Sequence, residues 1–165
     1  MVAETSAVPA AIDGLIALCT SVAITGGALD GVVIYDGSPI TRSSDERYLD
    51  IAMPTADGEP AVEGTQSFIT MPARERDESF SILCGAYARS GNNDIQVERN
   101  RAYAIVAAVE RLVRPREPGS DITLGGAVLW CSVTGRITYT PLQTADGAGV
   151  RVQFEVQCRA RLSGS

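Results

Sequence analysis

The last segment of the chain alternates without interruption between apolar and polar side chains. The apolar positions are Val150, Val152, Phe154, Val156, Cys158, Ala160 and Leu162, and the polar positions are Arg151, Gln153, Glu155, Gln157, Arg159 and Arg161. Successive side chains of a β-strand point to opposite faces, so this segment predicts a strand with one apolar and one polar face. The fold must therefore contain a sheet that is packed against a core on one side only.

Two segments have the apolar spacing of amphipathic helices. A short helix is predicted at 9–20, where Pro9 suits the first turn. A longer helix is predicted at 93–114, with Asn92, Asn93 and Asp94 as possible caps and Pro115 as the stop signal. The residues expected to form its buried stripe are Ile95, Ala102, Ile105, Val106, Val109, Leu112 and Val113. Those expected to face water are Glu98, Arg101, Glu110, Arg111 and Arg114.

The β-prone runs predict strands, and the Gly- and Pro-rich runs between them predict loops. Strands are expected at 32–35, 47–53 and 77–89, with a strand stub in QSFITM. Loops are expected at 36–44 and 54–66. A hairpin is expected between AVLWCSVTGRITYT and 150–162, with its turn within 144–149. The pattern indicates an α+β fold: an antiparallel or mixed sheet with two helices packed on one face. Residues 1–8 are predicted to form a loose arm and residues 9–165 a single domain.

The composition removes most kinds of side-chain catalysis. All 14 basic residues are arginines, and the chain of 165 residues contains neither lysine nor histidine. A Ser-His-Asp triad, an imidazole metal ligand and a lysine Schiff base are therefore impossible within this chain. The cysteines, Cys19, Cys84, Cys131 and Cys158, are widely spaced within apolar segments and are expected to be small core residues rather than zinc ligands. We expect no enzyme, no cofactor and no metal site.

The segment VVIYDGSPIT, residues 32–41, raises the question of a phosphate-binding loop because a strand ends there at an Asp-Gly pair. A phosphate cradle needs several glycines and a helix that begins directly behind them, and neither is present. A turn or a subunit-contact loop is the better interpretation. The alternative of a small binding or enzymatic domain that uses the loop 36–46, with Asp36 and Asp45, stays open.

Neighbouring carboxylates could serve metal binding or acid–base chemistry. The pairs are Asp45–Glu46, Asp57/Glu59 and Asp77–Glu78, and none has the spacing of a Ca²⁺-binding loop. Arginines accompany them in the sequence (Arg42, Arg47, Arg74 and Arg76), so solvated ion pairs are expected. Trp130, in an apolar strand, is expected to be a core or half-buried anchor.

Four segments, taken in their order along the chain, resemble the tail terminator (tail completion) proteins of siphophages, particularly of phages that infect actinobacteria. They are VVIYDGSPIT, similar to the family's V-Y-D-G-P-P-V-T element; RDESFSILCGAYARSGNND; RNRAYAIVAAVERLVR; and LGGAVLWCSVTG with GVRVQFEVQCRARL. The resemblance covers residues 10–162, with Ser38 where proline is common in the family. The segment 54–72 is less similar.

The resemblance implies a structural virion protein at the head–tail junction, assembled in the host cytoplasm. Family members form a hexameric ring that caps the tail tube, ends polymerisation of the major tail protein and meets the head connector, with DNA passing through the channel. These partners imply neither a membrane nor a cofactor. The alternative within the same setting is another neck component, such as a stopper or head-completion protein.

A ring subunit needs surfaces for its neighbours, and the long polar loops are the candidates because helices and strands are expected to be occupied by the core. We expect contacts to neighbouring subunits, the tube or the connector in 36–46, 54–75 and 141–149. The candidate residues are Asp36, Gly37, Arg42, Asp45, Glu46, Asp57, Glu59, Glu63, Arg74, Arg76, Gln143 and Asp146.

Overall fold

The computed structural model of the protein describes residues 5–39, 45–55, 57–70 and 75–163. Two helices and seven strands follow one another in this part of the chain. They are α1 (Val8–Val22), β1 (Val33–Asp36), β2 (Arg47–Ile51), β3 (Val62–Thr70), β4 (Glu75–Arg89), α2 (Ile95–Leu112), β5 (Trp130–Val133), β6 (Thr138–Thr144) and β7 (Gly147–Leu162). The α+β class that the sequence predicts is confirmed.

Two long antiparallel strands, β4 and β7, form the centre of one mixed sheet. Their register runs from Arg76 opposite Leu162 to Arg89 opposite Gly149. Strands β2 and β3 share the outer edge of β4, β5 and β6 share the outer edge of β7, and β1 adds to β2 in parallel. The sheet is therefore built on two strands of about equal length, each flanked by two shorter ones.

Both helices pack on the same face of this sheet. Helix α1 contacts β1 and β2, and α2 contacts β4 and β7. All seven apolar positions of β7 are buried in a single core together with the four cysteines, as the alternation and the apolar surroundings of the cysteines predict. Burial raises the pKa of the Cys19 thiol to about 12, so this thiol stays protonated at neutral pH.

Helix α2 starts at one of the predicted caps, but one of its side chains is buried where the sequence predicts an exposed one. The Asp94 carboxylate caps the helix and accepts hydrogen bonds from the backbone N–H groups of Gln96 and Val97, at 3.1 and 3.4 Å. The prediction that Glu98 faces water is wrong, since this side chain is completely buried. It accepts a hydrogen bond of 2.6 Å from the Ser90 hydroxyl, which belongs to the connection between β4 and α2. Periodicity alone does not reveal such a partner.

The prediction of a loose arm at 1–8 is wrong for residues 6–8, while residues 1–4 lie outside the described part of the chain. The helix already begins at Val8. The buried Glu78 carboxylate accepts hydrogen bonds from the Ser6 hydroxyl and the Ala7 backbone N–H, at 2.6 and 2.7 Å. Burial by itself raises the pKa of Glu78, but hydrogen bonds from Ser6, Gln66 and Ala7 outweigh it and lower that pKa. The start of the domain is thus fixed to β4.

Two strand predictions also need correction. The predicted loop 54–66 is wrong in its second half, because β3 begins at Val62 and pairs with β4. The predicted continuous strand in AVLWCSVTGRITYT is divided into β5 and β6, which pair with different parts of β7. Gly135 lies in the break between them, with a positive φ of 90°.

Candidate functional site

The face of the sheet opposite the helices carries the polar side chains of β7 and is called the open face below. Asp77 of β4 lies here between two arginines of β7 and accepts hydrogen bonds from Arg159 at 3.0 Å and Arg161 at 3.1 Å. These bonds lower the pKa of the Asp77 carboxyl. The expectation that Asp77 pairs with arginines close to it in sequence is wrong, because the β4–β7 register brings partners from the far end of the chain.

The segment between β2 and β3, residues 52–61, crosses the open face and is called the strap below; residue 56 lies outside the described residues. The strap leaves the sheet and returns to it at the same point of β4. The Met53 N–H donates to the Leu83 carbonyl at 3.1 Å, and the Leu83 N–H donates to the Ala61 carbonyl at 2.9 Å. Ala52, where the strap begins, has a positive φ of 57°, which is uncommon for a residue with a side chain.

The strap reaches from the outer edge of β4 to the connection beyond β7. Near its start, the Met53 sulfur lies over Gly85, where a Cβ atom would come within 2.7 Å of it. A side chain at this position would have to displace the Met53 thioether. Near its end, Glu59 forms an ion pair of 2.7 Å with Arg136 in the β5–β6 connection. Arg136 also lies 3.9 Å from Glu155 of β7, so this pair fastens the strap across the sheet.

A groove with a volume of about 580 Å³ lies between the strap, β3 and β5. Its charged residues are Glu59, Glu63, Glu155 and Arg136, three carboxylates and one guanidinium. Glu63 is exposed on β3 and forms no ion pair with the residues that the structure describes. Trp130 lines the groove and is 41% exposed, so the predicted core position is wrong and the half-buried alternative agrees with the structure. The groove is net negative.

On the other side of the strap, the open face carries a cluster of tyrosines. Tyr48 stacks on Tyr87 with a ring-centre distance of 4.6 Å, and Tyr35 meets Tyr48 edge-on at 5.7 Å. Next to them lies Asp50, which is 2% exposed and 3.6 Å from a guanidinium nitrogen of Arg151. Burial raises the pKa of the Asp50 carboxyl to about 6, and Arg151 opposes the shift. Its Oδ1 atom has no hydrogen-bond partner among the described residues.

The residues predicted around VVIYDGSPIT are structural in their immediate contacts. Asp36 is the exposed last residue of β1, and Gly37 has a positive φ of 74° and donates a hydrogen bond of 2.7 Å from its N–H to the Ile51 carbonyl. The Asp45 carboxylate accepts a hydrogen bond from the Tyr35 hydroxyl. The Glu46 carbonyl accepts one of 2.8 Å from the Arg89 N–H.

The structure brings only part of the predicted set together. Glu59 of the strap and Glu63 of β3 both line the groove. Asp57 is exposed on the strap, and Arg76 of β4 donates a hydrogen bond of 3.0 Å to the Gln66 side chain. Arg42 and Arg74 lie outside the described residues.

The predicted contact loop 141–149 is a strand hairpin with a very short turn. Gln143 is an exposed residue of β6, and only Ala145 and Asp146 lie between the paired ends of β6 and β7. The hairpin packs on the connection before α2, since the Ala148 N–H donates to the Asn92 carbonyl at 2.9 Å. The hairpin therefore lies at a part of β7 that is far along the strand from the part that lines the groove.

Sequence reasoning did not single out Trp130, Arg136, Glu155 and Gln157 as parts of a site, yet all four line the groove. Glu155 and Gln157 were predicted on the polar face of the last strand, which is their position. Trp130 lies on that same face because the register of β5 places it opposite Arg159. The sequence does not reveal this position, because the neighbours of Trp130 in sequence are apolar.

Comparison with protein-family models and with curated proteins finds no match. Within the described ranges, no group of three or more cysteine, aspartate or glutamate side chains could hold a metal ion. In the same part of the chain, neither helix has the length and apolar character needed to span a bilayer. The fold and the groove define a two-layer α+β domain whose sheet has one covered face and one open, charged face.

Proposed function

We propose that the chain is a ring-forming subunit that caps the tail tube of a siphophage, ends polymerisation of the major tail protein and joins the tail to the head connector. The proposal rests on the resemblance to tail terminator proteins. The observation that supports the proposal is the position of the resembling segments in the fold. They form β1 with its turn, β4, α2, and β5 with β7, which are the central strands, the long helix and two edges of one core.

The open face gives a physical reason for assembly. A sheet face that carries the polar side chains of β7, a strap and exposed large side chains, among them Trp130 and Leu142, offers both anchors and hydrogen-bonding groups to a neighbour. A closed ring needs two different complementary surfaces on each subunit. The helix layer and the open face of this chain differ in composition, which suits such a heterologous contact.

The net charge suits a channel for DNA. The chain carries a formal charge of −6, so a ring of it does not grip the phosphate backbone over most of its surface. A low affinity for DNA lets the genome slide through the ring during packaging and ejection.

The test is deletion of the gene in the parent phage, followed by electron microscopy of the lysate. We expect tails of abnormal and variable length that are not attached to heads, with normal particles restored by a plasmid copy of the wild-type gene. Tails of normal length attached to heads would contradict the proposal. Tails of normal length without heads would assign the chain to another neck position instead.

A further inference from the structure

The groove of the open face has more negative than positive charge and an exposed aromatic ring. Arg136 is held by Glu59 at 2.7 Å and lies 3.9 Å from Glu155, which leaves Glu63 without a cation. Trp130 faces the same space, and its indole N–H has no partner among the described residues. Glu63 of β3 and Trp130 of β5 line this groove from strands that are separated by β4 and β7, and each suits a guanidinium group, which pairs with a carboxylate and stacks on an aromatic ring.

The opposite side of the molecule carries the complementary charge. Five of the 14 arginines lie on α2 and the turn that follows it: Arg99, Arg101, Arg111, Arg114 and Arg116. Arg101 pairs with Glu98 and Arg114 with Glu110, at 3.1 and 2.8 Å. Arg99, Arg111 and Arg116 are exposed and form no ion pair with any described residue, although the chain as a whole is acidic. Arg111 and Arg116 are the two at and just beyond the C-terminal end of the helix.

Because α2 covers the face opposite the groove, these arginines cannot enter the groove of their own copy. We infer that the groove of one copy binds the C-terminal end of α2 of a second copy, with Arg111 and Arg116 of the second copy meeting Glu63 and Trp130 of the first. This inference rests on the proposed ring. It names a head-to-tail contact, the kind that closes into a ring when the rotation between neighbours allows.

Charge reversal tests the contact in the full-length protein. Glu63→Arg and Arg111→Glu each place like charges against each other, and we expect each to weaken self-association by about tenfold or more. In the double variant the two charges are again opposite, with their positions exchanged, and we expect most of the association to return. The matched controls are Asp13→Arg, at an exposed position of α1, and Arg99→Glu, near the start of α2. They make the same charge changes away from the proposed contact. Mass photometry across a dilution series measures association, and circular dichroism verifies the fold.

Trp130 supplies a second measurement because it is the single tryptophan of the chain. If α2 of a neighbour covers the groove, the emission maximum of Trp130 shifts to shorter wavelength as the wild-type protein assembles, and not in Glu63→Arg. An assembled ring with the emission spectrum of the monomer would overturn the inference.

The outcomes separate the inference from the proposed function. If the wild type forms rings and both single variants form them equally well, the groove contact is wrong while the proposed function stands. If Arg111→Glu leaves assembly intact and instead weakens binding of duplex DNA, the arginines contact phosphates and the inference is also overturned. If the wild type stays monomeric alone and with tail tubes, the proposed function fails, and the groove contact fails with it.

Discussion

Three carboxylates among the described residues are buried, each with different partners. Glu78 fixes the start of the domain through Ser6 and Ala7, and Glu98 holds the β4–α2 connection through Ser90. The nearest charge to Asp50 is Arg151, at 3.6 Å, and its Oδ1 atom, like Oε2 of Glu98, has no hydrogen-bond partner among the described residues. Burying a carboxylate is costly unless hydrogen bonds or a charge compensate. Asp50 is therefore the least compensated of these three carboxylates.

The raised pKa of Asp50 predicts a specific pH dependence of stability. This carboxyl titrates near 3.8 when unperturbed and at about 6 in the folded chain, so the folded state binds its proton more tightly. Its contribution to the free energy of unfolding is fully present below pH 4 and is lost as the pH rises to about 6. We expect the wild type to lose more free energy of unfolding than Asp50→Asn between pH 4.5 and pH 7, measured by urea unfolding. An equal loss in the two proteins would show that Asp50 does not titrate in this range.

At the scale of elements, the alternation of β7 predicts opposite sensitivities at neighbouring positions. Phe154 is completely buried against the helices, whereas Gln153 lies half-buried on the open face. We expect Phe154→Ala to lower the free energy of unfolding by about 3 to 5 kcal/mol, because it removes a large buried ring and leaves a cavity. The matched variant Gln153→Ala should change it by about 0.5 kcal/mol or less. Comparable losses for both variants in urea unfolding would contradict a sheet with one covered face.

The elements that the sequence predicts well are those with long, regular patterns. The alternation of β7, the stripe and Asp94 cap of α2, and the apolar surroundings of the four cysteines each contain enough residues to fix the type of element. The division between β5 and β6 escapes such reasoning because both segments are equally β-prone, and only their pairing with different parts of β7 separates them. The start of β3 escapes it because Val62–Gln66 reads as part of a polar loop until β4 is placed beside it.

The candidate site is predictable only in part, because it is built from pairings between distant segments. The polar face of the last strand and the carboxylates Glu59 and Glu63 follow from the sequence. Their meeting with Trp130 and Arg136 depends on the strap crossing the sheet and on β5 lying beside β7. No local pattern encodes either arrangement.

At the scale of the whole molecule, the charges divide between two surfaces. The open face has a net negative groove, and α2 with the turn after it carries five arginines, three of them without ion pairs among the described residues. In a chain with a net charge of −6, this separation gives each copy two surfaces of unlike charge, as the proposed head-to-tail contact requires. Such a molecule is expected to associate head to tail rather than as a symmetric dimer.

The most direct test of the central claim is the mass of the purified protein with and without tail tubes. A hexameric ring has six times the chain mass of 17.4 kDa, about 104 kDa. Mass photometry should detect a species of this size, either free or after incubation with tubes and their removal by mild dissociation, and electron micrographs should show it at one end of each tube. A protein that remains at the monomer mass in both conditions, and is absent from the tube ends, would contradict the claim.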